Sequence, residues 1–242
     1  MSKVAVVTGA SRGIGRAIAE RLGAAGMRVV VNYRTSEAAA AEVVAAVDGS
    51  GGRATAVRAD AHHPDGLRSL FDTAERVYGG LDVVVGNVGT ARFGRLADAT
   101  DADFDEVFVA NARATYGTLH EAARRVRDGG RIVVISSGAT VTARPGSGLY
   151  AASKAAGDQL VRTAAKELGP RGITVNSVLP GATRTDALTA TVPEEQLAAT
   201  RAQTPLGRLG EPGDIAAAVS FLVSDDGGWI TGQTLHAGGG LF

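Results

Sequence analysis

The sequence predicts an α/β fold, a doubly wound parallel sheet of seven strands with helices on both faces. Three observations carry this prediction. Seven short apolar, β-rich runs, most of them dense in Val and Ile, recur along the chain, Ala-rich segments of helical length separate them, and a glycine-rich stretch sits at the first strand-to-helix junction. The runs are nearly continuous in apolar residues, as strands covered on both faces of a parallel sheet must be. Alternation of strand and helix gives right-handed βαβ units, and such sheets bind ligands outside the carboxyl ends of their strands.

The elements follow in order. KVAVVT (3–8) is the first strand, and TGASRGIG (8–15) leads from it into a helix containing RAIAERLGAAG. MRVVVNY (27–33) is the second strand, EAAAAEVVAAV (37–47) the helix after it, and DGSGG (48–52) a loop. RATAVRAD (53–60), LDVVVGN (81–87) and RIVVISS (131–137) are the third to fifth strands. The segment SGLYAASKAAGDQLVRTAAKELG reads as a long helix ending at Gly169-Pro170, since glycine closes helices and proline cannot extend them. GITVNSVLP (172–180) and GQTLHA (232–237) complete the sheet. No linker, repeat or low-complexity tract interrupts the chain, and its 242 residues suit one domain, 1–242.

Composition narrows the function. Lys plus Arg and Asp plus Glu each total 25, which leaves no net field to draw nucleic acid or an anionic membrane as partner. The absence of cysteine excludes disulfides, thiolate metal sites and cysteine nucleophiles. No apolar run approaches the roughly 18 residues of a membrane span, and the amino terminus has no long apolar h-region, so a cytoplasmic location is expected.

Gly9, Gly13 and Gly15 are spaced G-x-x-x-G-x-G at the carboxyl end of the first strand. Glycine lets the backbone turn tightly and approach a pyrophosphate, while the free N–H groups and positive end of the following helix favour the anion. A turn that binds nothing is the alternative for the glycines alone. YAASK places Tyr150 and Lys154 four apart on one helix face, and Ser137 ends the preceding strand thirteen residues upstream. A phenol with an ordinary pKa of about 10 serves as acid or base near neutrality when a cation favours its phenolate. Lys154 is placed to be that cation, although Tyr and Lys at this spacing alone also describe a solvated helix face.

Together these motifs resemble the short-chain dehydrogenases/reductases of the classical type, which have a Rossmann fold. The resemblance runs through TGASRGIG, GNVG (86–89), Asn111, Ser137, YAASK, PGATRT (180–185) and GRLGEPGDIAAAVSFLVSDDGGWITGQTLHAGGG, and so covers essentially the whole chain. It is closest to the 3-oxoacyl-acyl-carrier-protein reductase branch. It implies that Tyr150 gives a proton to the substrate carbonyl as hydride leaves the nicotinamide. Lys154 would lower the Tyr150 pKa and hold the nicotinamide ribose, Ser137 would bond the substrate oxygen, and Asn111 would position a water in the proton relay. Ser136 is the rival hydroxyl, and spacing to Tyr150 favours Ser137.

Cofactor contacts implied by the resemblance are Gly9, Ser11, Arg12, Gly13, Ile14 and Gly15 in the glycine loop, and Asp60, Ala61, Asn87 and Gly89 on the adenine side. Pro180, Gly181, Thr183 and Thr185 follow the sixth strand, and Tyr150 and Lys154 complete the set. An acid ending the second strand would bind the ribose 2′-hydroxyl and repel a 2′-phosphate. Here Tyr33 and Arg34 stand there, and Arg34, Ser36 and Arg12 suit a phosphate. NADP(H) is therefore the predicted cofactor. Gly86, Val88, Thr183, His236 and Ala237 depart from the family's usual residues.

His62 and His63, with no Cys or acid cluster beside them, read as solvated loop, and no metal is expected. Trp229 reads as core or subunit contact. Residues 186–206 lie where the family carries a substrate lid, in which Leu188, Val192 and Leu197 either line a pocket or cover the core. Arg124, Arg125, Arg127 and Arg171 are candidates for an acidic carrier-protein partner, with Asp128 interrupting the group. The expected function is NADPH-dependent reduction of a 3-oxoacyl thioester to the 3-hydroxyacyl product. The alternatives are a reductase or dehydrogenase of small ketones, aldehydes, polyols or sugars and, more remotely, a non-catalytic dinucleotide sensor. The family resemblance implies a homotetramer.

Overall fold

A computed structural model describes residues 2–242. Seven parallel strands form one sheet in the order β3-β2-β1-β4-β5-β6-β7. They are β1 (Val4–Val7), β2 (Arg28–Tyr33), β3 (Arg53–Arg58), β4 (Val83–Gly86), β5 (Arg131–Ile135), β6 (Thr174–Pro180) and β7 (Thr234–Ala237). All seven predicted strands are present. β1, β4 and β6 are buried throughout, as strands covered on both faces must be, whereas no residue of β3 at the edge is fully buried.

The helices cover both faces. α1 (Gly13–Ala24), α2 (Glu37–Gly49) and α10 (Pro212–Val223) pack on one side over Ala5, Val7, Val29, Val31, Val133 and Val178. α3 (Pro64–Tyr78), α5 (Ala114–Arg125) and α7 (Gly148–Leu168) pack on the other over Val4, Val6, Val84, Ile132, Val134 and Val175. Alternate residues of each strand thus feed two separate apolar layers. α2 continues through Gly49, so the predicted loop at 48–52 is shorter than the sequence suggested. α4 (Asp101–Phe108), started by a reciprocal Thr100–Asp103 capping box, runs through a π-helical turn (Val109–Arg113) into α5. α6 (Ala139–Thr142) follows β5, and the predicted lid folds as α8 (Asp186–Thr191) and α9 (Glu194–Gln203).

After β3 the chain crosses back to place β4 beside β1, with Val7 opposite Val85. That reversal is the topological switch point of a doubly wound sheet, and a crevice opens at its carboxyl edge. Among the described residues no helix is long and apolar enough to cross a membrane.

Phe71 on α3 is fully buried against Leu67, Leu70 and the β1–β4 valines. Phe71→Ala should cost about 3–5 kcal/mol, read as a fall in urea midpoint at unchanged slope.

Candidate active site

The glycine loop begins the site. Gly9 and Gly13 have φ of +59° and +54°, a region that side chains rarely enter. A Cβ on Gly15 would overlap the Gly9 carbonyl oxygen and lie 2.6 Å from Asn87 Nδ2, so the first turn of α1 presses directly on the loop. Side chains from neighbouring strands hold it there. Asn87 Nδ2 donates to the Thr8 and Gly9 carbonyls at 3.2 and 3.1 Å, while Thr8 Oγ1 accepts from Asn87 N at 2.8 Å. The Asn32 carboxamide accepts from Gly9 N at 2.9 Å and donates to the Ala59 carbonyl at 2.9 Å, tying the loop to β2 and to the end of β3. No side chain caps the start of α1, and its first turn holds no acid, so its N–H groups stay available to an anion. This cradle, which a single methyl group would fill, fits a dinucleotide pyrophosphate. Ser11 and Ala61 are buried beside it, and Ile14 packs on the core.

At the end of β2, Tyr33 is buried and Arg34 is exposed, with Arg12 also exposed across the loop. Ser36 precedes α2 but its hydroxyl makes no cap bond. Asp60 accepts from the His62 backbone N–H at 3.0 Å and contacts His62 Nδ1 at 2.7 Å. Desolvation raises the Asp60 pKa, but the bonds from His62 and the charge of Arg34 outweigh it and leave the carboxyl below its ordinary value. His62 therefore orients Asp60, while His63 only precedes α3. Among the described residues no group of His, Cys, Asp or Glu is placed to hold a metal.

The reactive groups meet across the crevice from α1. Asn111 is fully buried in the π-helical turn, and its side chain is locked: Oδ1 accepts from Thr90 N at 3.0 Å, while Nδ2 donates to the Thr90 carbonyl at 2.9 Å and to Ser153 Oγ at 3.0 Å. Ser153 in turn donates to the Tyr150 carbonyl at 2.8 Å, joining this turn to the YAASK helix. Lys154 reaches over β5, its ammonium donating to the Ile135 carbonyl at 3.0 Å. Gly89 admits both groups, for a Cβ there would lie 2.5 Å from Asn111 Oδ1 and 2.8 Å from Lys154 Nζ. Burial disfavours the charged lysine and pushes its pKa down to about 8, with the carboxylate of Asp158 opposing the shift. Burial likewise raises the Tyr150 phenol above its ordinary value, against the hydrogen-bonding influence of Ser137, so the lowering expected from Lys154 gives way to desolvation here.

The structure thus brings Ser137, Tyr150, Lys154 and Asn111 together and separates Ser137 from its rival. Ser136 turns away, its hydroxyl donating to Asp158 Oδ2 at 3.0 Å. Pro180 ends β6, Gly181 packs on Gly238, and the Thr183 hydroxyl donates to the Gly181 carbonyl at 3.0 Å. Thr185 caps α8 and lies across the glycine loop, its Cγ2 3.2 Å from the position of a Cβ on Gly13. In the segment predicted as a lid Leu197 is buried, while Leu188 and Val192 are half-buried. Trp229 is 99% exposed, which removes the core reading of that residue. Arg125, Arg127 and Arg171 pair with acids, including Asp72, Asp82 and Asp128 respectively, and lie with Arg124 towards the amino ends of β5 and β6, away from the crevice.

Sequence reasoning missed Asn32, Thr8, Ser153 and Asp158, whose signal was polarity inside otherwise apolar or small-residue runs. It also missed two aromatic groups at the crevice. The Phe93 ring meets the Tyr150 ring edge-on, with centroids 5.6 Å apart. The ring of Phe242 covers Gly138, next to Ser137, where any Cβ would collide with it.

Fold and site together define an oxidoreductase built on a dinucleotide cradle, with a Ser–Tyr–Lys group at the carboxyl edge of the sheet. A family model described as "Enoyl-(Acyl carrier protein) reductase" matches residues 9–242. A versicolorin reductase of Emericella nidulans is 42% identical over 99% of this chain and 96% of its own length. The landomycin C-6 ketoreductase LanV, solved with NADP and rabelomycin, superposes with a TM-score of 0.89 at 40% identity over 99% of this chain and 96% of that one. A short-chain dehydrogenase from Burkholderia cenocepacia, solved with NADP, gives a TM-score of 0.92 at 42% identity over 99% and 97%. The chain belongs to the short-chain dehydrogenase/reductase family.

Because Gly15 faces a backbone carbonyl that cannot yield, Gly15→Ala should weaken NADPH binding at least tenfold, about 1.4 kcal/mol or more, in a fluorescence titration.

Proposed function

We propose that the protein is an NADPH-dependent carbonyl reductase of cyclic, aromatic-fused ketones, with Tyr150 as proton donor. The convergence of Ser137, Tyr150 and Lys154 beside the glycine cradle carries this reading. NADP(H) is the cofactor, as in the solved relatives, and when bound it supplies or accepts the hydride. The residues that would hold it are those of the glycine loop, Asn87, Gly89, Thr183, Thr185, Tyr150 and Lys154, with Asp60 and Ala61 on the adenine side. Arg34, Ser36 and Arg12 would take the 2′-phosphate.

In reduction the carbonyl oxygen gains negative charge and needs fixed donors and a matched acid. The Ser137 hydroxyl donates a hydrogen bond to that oxygen and the Tyr150 phenol gives it a proton. The raised Tyr150 pKa keeps the phenol protonated at neutrality, which suits an acid. Lys154 must be charged to stabilise the phenolate that remains, and Asn111 orders the water through which Tyr150 is reprotonated.

The Phe93 ring meets that of Tyr150 and the Phe242 ring lies on Gly138 beside Ser137, so each of the two hydroxyl-bearing residues has an aromatic ring nearby. Flat apolar rings suit such walls better than polyols or sugars. A further relative, 40% identical, is named as a trihydroxynaphthalene reductase, and a naphthalene is a pair of fused aromatic rings. The family model's description favours a second reading, a 3-oxoacyl thioester carried by acyl carrier protein, although the arginines foreseen for such a carrier stand at the opposite edge of the sheet. The whole chain acts as one cofactor and substrate domain, with 186–206 as its lid. Exposed Tyr116 on α5 and Trp229 before β7 suit subunit contacts of a homotetramer, which light scattering would detect.

Purified protein oxidising NADPH with 2-tetralone at a kcat/KM at least tenfold above that with acetoacetyl-CoA supports the ring-ketone reading, and the reverse order supports the thioester. With either substrate, Tyr150→Phe should lose about 10²–10⁴ in kcat, and Arg34→Ala should shrink the preference for NADPH over NADH. A lysine whose pKa is lowered is charged below that value and neutral above it. Reduction should therefore decline as pH rises through about 8, measured as kcat/KM against pH.

A further inference from the structure

Beneath the reactive groups lies a buried polar pair that the reaction leaves unused. Ser136 and Asp158 are 5% and 3% exposed, and the serine hydroxyl donates to Asp158 Oδ2 at 3.0 Å. The other carboxylate oxygen, Oδ1, is buried with no hydrogen-bond partner, and so is Ser177 Oγ on the same face of the sheet in β6. Burying a carboxylate with one oxygen left unbonded is costly unless an opposite charge lies nearby. Asp158 lies four residues beyond Lys154, one turn along the same face of α7. The lysine ammonium bonds to the Ile135 carbonyl rather than to the carboxylate, so the two charges act on each other through space.

Among the described residues no other charge is bonded to either group; Arg162, four residues beyond Asp158 on α7, is exposed and bonds to Gln159. Facing Lys154 are Tyr150 on its own helix, the neutral Asn111 and Ser137, and the Gly89 backbone. β6 and α6 carry no titratable side chain, and Arg131 of β5 lies at its far end, bonded to the Gly129 and Gly130 carbonyls. On α5 the buried Glu121 pairs with Arg125, while Tyr116, His120 and Arg124 are exposed, as is Arg113 in the π-helical turn before it. On α4 Asp103 and Glu106 pair with Arg92, and Asp101 and Asp105 are exposed. Arg171, in the turn that follows α7, pairs with Asp128. The negative charge acting on Lys154 is that of Asp158.

We propose that Asp158 is the counter-ion that keeps Lys154 charged beneath Tyr150, a positioning residue anchored to β5 by Ser136. Its consequence for turnover rests on the function proposed above, but the charge coupling is measurable without turnover. The chain contains three lysines, Lys3, Lys154 and Lys166. Protein grown on ¹³C-labelled lysine therefore gives a simple NMR spectrum, and Lys154→Arg identifies the buried resonance by its loss. Titrated without cofactor, Lys154 should change protonation near pH 8. In Asp158→Asn its midpoint should fall by on the order of one pH unit or more, and Asp158→Glu should restore it. Asp158→Ala, which also removes the charge, replaces the Asn variant if that protein does not fold. The alkaline limb of kcat/KM should move to lower pH by the same amount. A purely structural role would lower Tm and leave the Lys154 midpoint where it was, and an unchanged or raised midpoint overturns the proposal. A lowered midpoint in a protein that reduces no ketone would uphold the counter-ion and sink the proposed reaction.

Discussion

An ammonium group buried at the carboxyl edge of the sheet is the constraint around which this site is arranged. Lys154 is 6% exposed, and moving its charge out of water is costly unless carbonyls, dipoles or anions replace the lost solvent. The Ile135 carbonyl supplies one such partner, and the end of β5 must therefore lie directly beneath the second turn of α7. The same contact fixes where Ser137 leaves the strand and where Tyr150, one turn earlier on the helix, meets it. Gly89 is small for the same reason, since the loop after β4 closes over the lysine with no room for a methyl group.

The cofactor side depends on a different device. A glycine loop with two residues at positive φ has little intrinsic preference for one shape, and here amide side chains impose it. Asn32 and Asn87 each bond to the loop from a neighbouring strand, one from β2 and one from the end of β4. The loop is thus clamped on both sides of β1, at the point where the strand order reverses. The Asn32 amide both accepts and donates, and the Asn87 amide donates twice, so replacing either would leave backbone groups of the cradle unsatisfied.

Much of this was legible in the sequence because its signals are local. The Val- and Ile-rich runs became β1, β2, β4, β5 and β6, which are covered on both faces, while RATAVRAD and GQTLHA, poorer in both residues, became the two more exposed edge strands. TGASRGIG and YAASK were legible because tight turns and i,i+4 pairs are set by spacing alone. The pairing of Ser136 with Asp158 was not legible, because it joins residues 22 apart whose meeting depends on how α7 lies over β5. Phe93 and Phe242 were invisible for the same reason. Trp229 was ambiguous because an aromatic near a strand serves core and surface equally well, and the structure exposes it. The π-helical turn holding Asn111 also left no mark, for its five residues are ordinary helix formers.

The carboxyl-terminal tail shows how an unexplained sequence feature acquires a physical reason. In HAGGGLF, Gly239 and Gly240 take φ of +64° and +87° and turn the chain back on itself. A Cβ on Gly239 would lie 2.8 Å from Thr204 Cγ2, and one on Gly240 3.0 Å from the Pro205 ring, so the tail lies flat against the end of the lid segment. Leu206 N donates to the Gly239 carbonyl at 3.2 Å and secures that contact. Beyond the turn, the Phe242 ring rests on Gly138 and Gly238, with its centroid 5.3 Å from that of His236. His236 is thus a partner for the terminal ring, and the run of glycines is what lets one short tail touch both the end of the lid and the residue after Ser137. The glycine loop is clamped by amides within the sheet, whereas the chain beside Ser137 is covered by a ring packed on glycines, so the two sides of the crevice are held by different kinds of contact.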